Sequence, residues 1–123
     1  MKYSKEEKEE FIRKMKEKTK QFAIDTIHFC DKLPKTSGCR NISFQLIRSA
    51  TSTGANYRAA CRGRSQKEFH SKISITVEEA DESQYWLELV EGLNTSCDKK
   101  ELTRLQKEIG EIIAVVTKAR YNS

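Results

Sequence analysis

Apolar residues recur along this chain at intervals of three and four, which is the spacing of one face of an α-helix. The clearest stretch follows a 3-4-3-4-3 rhythm through Leu102, Leu105, Ile109, Ile112, Val116 and Ala119. No Asn-Gly or Asp-Gly turn separates two alternating runs, so the sequence shows no hairpin signal. We therefore predict an all-α protein.

Start and stop signals divide the chain into four helices. Ser-x-x-Glu capping boxes at Ser4 and Ser65, and a similar pattern at Asp98, mark three helix starts. The single proline, Pro34, ends the first helix, and Gly63 interrupts the second. Short connections make neighbouring helices antiparallel, so we predict one domain with an up-down-up-down four-helix bundle. The predicted helices span residues 4–33, 41–62, 65–93 and 98–120, with a loop at 35–40.

Composition restricts the functions open to such a chain. The 123 residues suffice for one domain. No stretch is apolar enough to span a bilayer or to act as a secretion signal, so we expect a cytoplasmic protein. The four cysteines include no C-x-x-C pair, and no Glu-x-x-His motif or Gly-rich phosphate loop occurs. We therefore expect no enzymatic activity, no metal and no cofactor.

Charge is distributed unevenly along the middle of the chain. The formal net charge is +5; residues 35–72 hold eight basic side chains and one acid, whereas residues 78–91 hold six acids and no base. At about 100° per residue, Arg48, Arg58 and Arg62 fall within an arc of about 80°. Arg64 and Lys67 extend this arc through the following turn. Arginine favours planar, bidentate contacts with phosphate or carboxylate groups.

Two interpretations of these side chains remain open. In the first, they form a stripe that binds the phosphates of nucleic acid whatever its base sequence. The stripe consists of Arg48, Arg58, Arg62, Arg64 and Lys67. In the second, Arg48 pairs with acids of the third helix, namely Glu78, Glu79 and Glu82. Those acids lie in the C-terminal half of their helix, where the macrodipole disfavours negative charge, so they need basic partners in the same chain or in another subunit. A basic-to-acidic contact between subunits closes into a ring when the rotation between them permits.

Residues 49–56 are eight small residues in succession, with too little helix propensity to hold a helix unaided. Small side chains let another backbone approach closely, so we expect this segment to pack against a neighbour within the bundle or across a subunit interface. The amide of Asn56 should be buried and hydrogen-bonded. Tyr85 and Trp86 lie among leucines, which is more typical of a core or interface than of a platform for bases. The residues predicted for packing or an oligomer interface are Ser52, Gly54, Ala55, Asn56, Glu79, Glu82 and Trp86.

Several of these segments together carry a family resemblance: Arg48-Ser49-Ala50, Gly54-Ala55-Asn56, Arg64-Ser65, Glu78-Glu79-Ala80-Asp81-Glu82 and Tyr85-Trp86-Leu87. Over roughly residues 20–118 the chain resembles bacterial four-helix-bundle proteins related to those encoded within intervening sequences of 23S ribosomal RNA genes. It is more distantly similar to accessory proteins of diversity-generating retroelements. The resemblance implies a ring-like homo-oligomer, typically a pentamer, and by analogy a partner that is RNA, DNA or a reverse transcriptase.

The chain departs from the family pattern directly after Asn56. Many family members carry Ile-Ala-Glu-Gly there, whereas this chain has Tyr57-Arg58-Ala59-Ala60. The exchange places Arg58 next to the position of a family acid and so strengthens the basic face. The family pattern offers no catalytic residue.

Overall fold

The structure is a computed structural model that describes residues 3–123. It contains four helices, α1 (Lys5–Asp31), α2 (Ser37–Cys61), α3 (Gln66–Leu93) and α4 (Lys99–Tyr121), and no strand within residues 3–123. α1 contacts α2, α2 contacts α3, α3 contacts α4, and α4 closes the cycle against α1. Within residues 3–123, the diagonally opposite pairs, α1 with α3 and α2 with α4, make no contact. These contacts confirm the predicted four-helix bundle.

Three of the helices begin at the capping residues that the sequence predicts. Ser4 Oγ accepts the Glu7 N–H at 3.1 Å, and the Glu7 carboxylate accepts the Ser4 N–H at 2.9 Å, which completes the capping box. The side chains of Ser65 and Asp98 accept the backbone N–H three residues further on, at 3.0 Å and 3.1 Å. These bonds satisfy amides that a helix cannot pair within itself.

α2 begins earlier than the sequence predicts. Residues 37–40, predicted as loop, are helical. The reason is Thr36, whose Oγ1 accepts the Cys39 N–H at 3.2 Å and supplies a cap that was not predicted from the sequence. Cys39 and Ile42 are buried, so this additional turn also packs against the core.

The spacing of three and four also predicts an apolar stripe on the first helix, through Phe11, Met15, Phe22, Thr26, Phe29 and Leu33, and one on the third, through Phe69, Ile73, Thr76, Ala80, Ser83, Leu87 and Val90. The stripes of α3 and α4 lie in the core, with Ile73, Leu87, Ile109 and Ile112 fully buried. The prediction for α1 is wrong at Phe11, which is 53% exposed. Gly54 of α2 packs against Thr19 of α1. Since the two helices are antiparallel, α2 reaches only to about the level of residue 12 and leaves Phe11 without cover.

α2 and α3 share the most extensive contact in the bundle. The Ser49 and Ser83 hydroxyls hydrogen-bond across this contact at 2.8 Å, and both residues are fully buried. Ala50 and Ala80 are also fully buried, one on each helix. Small side chains on both helices permit this close approach. The buried residues of the small-residue segment 49–56 therefore pack within the bundle. This is the first of the two alternatives predicted above, the other being a subunit interface.

Candidate nucleic-acid interface

Arg48, near the middle of α2, is engaged within the chain. Its Nη1 donates to Glu79 Oε2 at 2.9 Å, and its Nη2 donates to Glu82 Oε2. The hydrogen bond with Glu82 raises the pKa of Arg48 further above its usual range. Glu82 Oε2 also accepts the Trp86 indole N–H at 3.1 Å. Arg48, Glu79, Glu82 and Trp86 thus form one network along the α2–α3 contact, which matches the second interpretation of this arginine.

Arg58, Arg62, Arg64 and Lys67 have different surroundings, and we call these four residues the basic turn. All four are exposed. Among residues 3–123, Arg64 alone of the four has a carboxylate within 4.0 Å, namely Glu68, and its own side chain is 91% exposed. A pair this exposed adds little energy and leaves the guanidinium accessible to solvent. The basic turn therefore presents four cations to water.

Helix rotation and register together explain why Arg48 finds carboxylates and Arg58 does not. Arg58 lies ten residues after Arg48 on α2, so it is rotated by about 80° around the helix axis and lies on the side of α2 that faces α1. The positions of α3 at the level of Arg58, ten residues before the two acids that bind Arg48, are Phe69 and Lys72. Neither can accept a hydrogen bond from a guanidinium. Within residues 3–123, Arg58 therefore has no carboxylate partner on either neighbouring helix.

The turn between α2 and α3 requires Gly63 for a close approach. The N–H groups of Arg62 and Gly63 donate to the carbonyls of Ala59 and Ala60, which tightens the end of α2. A Cβ at position 63 would lie 3.1 Å from the Ala60 carbonyl oxygen and 3.2 Å from the Phe69 nitrogen. Both are backbone atoms that cannot easily move. Glycine thus brings Arg62 and Arg64 close together at one end of the bundle.

A groove between α1 and α2 adjoins the basic turn and has a volume of about 380 Å³. Long basic side chains and small residues line it: Lys16, Lys20, Ala23, Thr51, Gly54, Ala55 and Arg58. None of its three cations forms an ion pair with the part of the chain that the structure describes. Lys16 and Lys20 were not predicted from the sequence because they lie in a stretch of mixed charges. Their spacing of four places both on one face of α1, but the sequence does not show that α2 lies beside that face.

The residues predicted for packing or an oligomer interface do not share one environment. Asn56 and Ser52 are half-buried, and Asn56 Nδ2 donates to the Ser52 carbonyl and hydroxyl oxygens, both at 2.9 Å. The Asn56 amide is hydrogen-bonded as predicted but less buried than predicted. Gly54 packs on Thr19 of α1, whereas Ala55 is exposed in the groove.

Other basic side chains of the bundle are paired across helices. Lys18 of α1 donates to Glu108 at 2.5 Å and to Glu111 at 2.8 Å on α4. Arg104 of α4 donates to Asp25 of α1 at 2.8 Å. The α1–α4 contact is therefore bordered by ion pairs, in contrast to the α1–α2 groove.

The outer surface of α3 has acidic and aromatic character. Glu78, Asp81 and Glu88 are exposed along it. Tyr85 is 52% exposed and packs edge-on against the half-buried Trp86, with ring centroids 5.2 Å apart. Phe44 of α2 is 68% exposed. Large exposed aromatic side chains beside charged rims are typical of association surfaces.

Two kinds of feature are absent from residues 3–123. No group of three histidine, cysteine or acidic side chains is placed to hold a metal ion. None of the described helices combines the length and apolarity needed to cross a membrane.

Comparisons with known proteins agree with this architecture. A family model described as 23S rRNA-intervening sequence protein matches residues 12–118, which include the basic turn and the groove. The chain is similar to the crystal structure of a protein of unknown function from the S23 ribosomal protein family of Bacteroides thetaiotaomicron, with a TM-score of 0.78 and 26% identity. That similarity covers 89% of this chain and 97% of the other. No curated protein sequence matches the chain significantly.

Proposed function

The chain belongs to the 23S rRNA-intervening sequence protein family, and from that premise we propose that it is a non-enzymatic, homo-oligomeric bundle that binds nucleic acid through the basic turn. The ligand would be RNA or DNA itself, or a nucleic-acid enzyme such as a reverse transcriptase together with its template. The family description associates its members with an intervening sequence of 23S rRNA, which makes structured RNA the first probe to use.

The observation that supports this proposal most strongly is the contrast in pairing among the basic side chains. Lys18, Arg48 and Arg104 bind carboxylates of neighbouring helices. The four cations of the basic turn face water, with one weak contact to Glu68. Exposed arginines are suited to bidentate contacts with phosphate oxygens. Neutralising phosphates releases counterions, which supplies affinity that does not depend on sequence.

The test is a titration of a structured RNA hairpin followed by fluorescence anisotropy at increasing salt. The triple variant Arg58→Ala, Arg62→Ala, Arg64→Ala should bind at least tenfold more weakly, with a shallower salt dependence, because each lost phosphate contact reduces the salt slope by about 0.9 on duplex. A matched control carries the same change in charge at exposed positions away from the basic turn, as Lys32→Ala, Lys100→Ala and Lys107→Ala. Equal affinity of the two triple variants would refute the basic turn as the binding surface.

A second candidate function is a structural scaffold whose charges and exposed aromatic side chains serve self-assembly. Two observations favour it: Arg48 is neutralised inside the chain, and Phe44 is 68% exposed. An acidic outer surface on α3 and a basic one on α2 complement each other between copies, as a heterologous ring requires.

Sizing separates the two candidates. A ring, of five subunits if the family resemblance extends to assembly, that elutes free of nucleic acid and dissociates at high salt would support the scaffold. A particle that retains nucleic acid at low salt and releases it at high salt without dissociating would support the binding function. Identification of any co-purifying polymerase would extend the second outcome to an enzyme partner.

A further inference from the structure

We propose that the α1–α2 groove holds the phosphodiester backbone of a nucleic-acid strand, with phosphate oxygens bound by Lys16, Lys20 and Arg58. This inference rests on the proposed function and specifies where the strand lies. It adds two residues of α1 to a surface that the sequence predicts on α2 and the following turn only.

The shape of the groove depends on the small residues of α2. The surface is recessed between the two helices because Gly54 has no side chain and Ala55 of α2 and Ala23 of α1 have only methyl groups. A Cβ on Gly54 would already touch the Thr19 carbonyl oxygen at 3.5 Å, so the floor lies almost on the backbone of α1. The volume of about 380 Å³ falls in the usual range for ligand sites, about 300–1,000 Å³. It can therefore accept part of a strand.

The lining chemistry selects an anion. The groove has three cations and no acid among its lining residues. The hydroxyl of Thr51 donates to backbone carbonyls of its own helix, at 2.8 Å to Ile47 and 3.1 Å to Arg48. That proton is therefore not available to the groove, and the side-chain donors are Lys16, Lys20 and Arg58. Like charges without counterions on one surface are stabilised when an anion binds between them.

The lining also predicts how the strand is recognised. No aromatic side chain lines the groove, so it offers no platform on which a base can stack. It presents no amide or carboxylate side chain that would read adenine or cytosine, and the base-specific contact of arginine and lysine is with guanine O6 and N7. The contacts should therefore be mainly to phosphate and sugar and should not distinguish uracil, adenine and cytosine from one another.

Arg58 belongs to both the groove and the basic turn, so one strand can contact the two surfaces in succession. Lys16 and Lys20 lie one helical turn apart on α1, about 6 Å along its axis, and the same holds for Arg58 and Arg62 on α2. Two pairs of cations with this separation form a continuous path from the groove to the end of the bundle.

The test uses the full chain and an oligo(U) RNA of about 16 nucleotides. The double variant Lys16→Gln, Lys20→Gln keeps long, helix-forming side chains but removes both charges. At about 50 mM salt it should bind roughly 10- to 100-fold more weakly, and its salt slope should fall by about 1.4, because each single-strand phosphate contact contributes about 0.7. The matched control is Lys100→Gln, Lys107→Gln on α4, which does not line the groove; it should change affinity less than about threefold.

A second variant tests the groove without removing a cation. Ala55→Glu places a carboxylate among the three cations at an exposed helical position, so it should fold normally and weaken binding as much as the double variant. Ala55→Lys should strengthen binding. An elution volume in sizing that changes with Ala55→Glu alone would show that a second copy covers the groove, and the inference would be wrong.

The failure of this inference can be distinguished from the failure of the proposed function. If the unmodified protein binds RNA without salt dependence or not at all, both proposals fail. If it binds, and the basic-turn triple variant loses affinity while the groove variants match the α4 control, only the groove inference fails. A preference of more than about tenfold between oligo(U) and oligo(A) would also contradict it, because it would require contacts to bases. Displacement of the RNA by micromolar UMP would identify a small phosphate ester as the ligand instead of a strand.

Discussion

The two halves of α2 carry arginines on the same outward stripe but place them in different surroundings. Arg48, in the first half, binds two carboxylates of α3 and joins a network that reaches Trp86. Arg58, in the second half, borders a groove and forms no ion pair with a carboxylate within residues 3–123. Residue type alone does not determine the role of a cation. That role depends on which neighbouring helix the side chain faces and on which residues that helix carries at that level: α3 offers two acids to Arg48, whereas α1 offers lysines to Arg58.

The largest effect is expected from forcing α2 and α3 apart, because their close approach brings Arg48 within reach of its acids. Ala80 is fully buried on α3. Ala80→Leu should lower the free energy of unfolding by about 3 kcal/mol, the upper part of the usual range for overpacking. Urea unfolding measures this loss.

The control for that variant is Ala114→Leu on the exposed side of α4. The same side chain added there should change stability by less than about 0.5 kcal/mol. A similar loss in both variants would mean that the α2–α3 contact is not as tight as its buried small residues indicate.

A second prediction tests the comparison by placing an acid on the part of α3 that follows the basic turn. Lys72 lies ten residues before Glu82 on α3, at the level of Arg58 along the bundle. Lys72→Glu should lower the positive potential of this end of the bundle and reduce RNA affinity about tenfold at low salt. Lys107→Glu makes the same change in charge on α4 and should have a much smaller effect. Equal losses would indicate that net charge, and not its placement, governs binding.

A third prediction concerns the turn that separates the two surroundings. Gly63→Ala should cost about 1 kcal/mol, since the added methyl group meets two backbone atoms at 3.1 and 3.2 Å. Gly110→Ala, in the middle of α4, meets nothing within 4 Å and should gain about 0.5–1 kcal/mol. Thermal unfolding of the two variants should thus shift in opposite directions. A gain at position 63 would show that the turn has room for a side chain.

The sequence predicted the elements of this fold well because helix spacing and caps are local signals. The buried positions of α4 follow directly from the 3-4-3-4-3 rhythm, and Ser4, Ser65 and Asp98 act as caps where the sequence placed them. It failed at Thr36, whose capping pattern lacks a glutamate three residues later, and at Phe11, whose exposure depends on where α2 ends. Whether Phe11 is covered depends on how far α2 extends beside α1, which the spacing within one helix does not show.

The candidate site was harder to predict because it depends on which side chains meet across helices. The arc of Arg48, Arg58 and Arg62 was visible from the sequence, but not that one of them would be neutralised. Lys16 and Lys20 gave no signal by themselves, since α1 alternates charges along its first half. They became part of a basic surface only when α1 was placed beside the small residues of α2.

The smallest expected effect compares Lys18 and Lys20, two lysines of α1 that face different neighbours. Lys18 binds Glu108 and Glu111 of α4, whereas Lys20 borders the groove. The hydrogen bond from Lys18 lowers the pKa of Glu111 below its usual value of 4.5. A carboxyl group with a lowered pKa in the folded state contributes stability that is fully present above the unfolded pKa. That contribution is lost as the pH falls from about 4.5 through the lower folded value.

Lys18→Met should therefore lower the melting temperature slightly at pH 6, and its difference from the unmodified protein should shrink as the pH falls below about 4.5. Lys20→Met should show no such pH-dependent difference, because its cation has no carboxylate partner to lose. Differential scanning calorimetry between about pH 3 and pH 7 measures both variants. If Lys20→Met reproduced the pH dependence of Lys18→Met, Lys20 would be paired like Lys18, and the division of the basic side chains into paired and unpaired sets would not hold in solution.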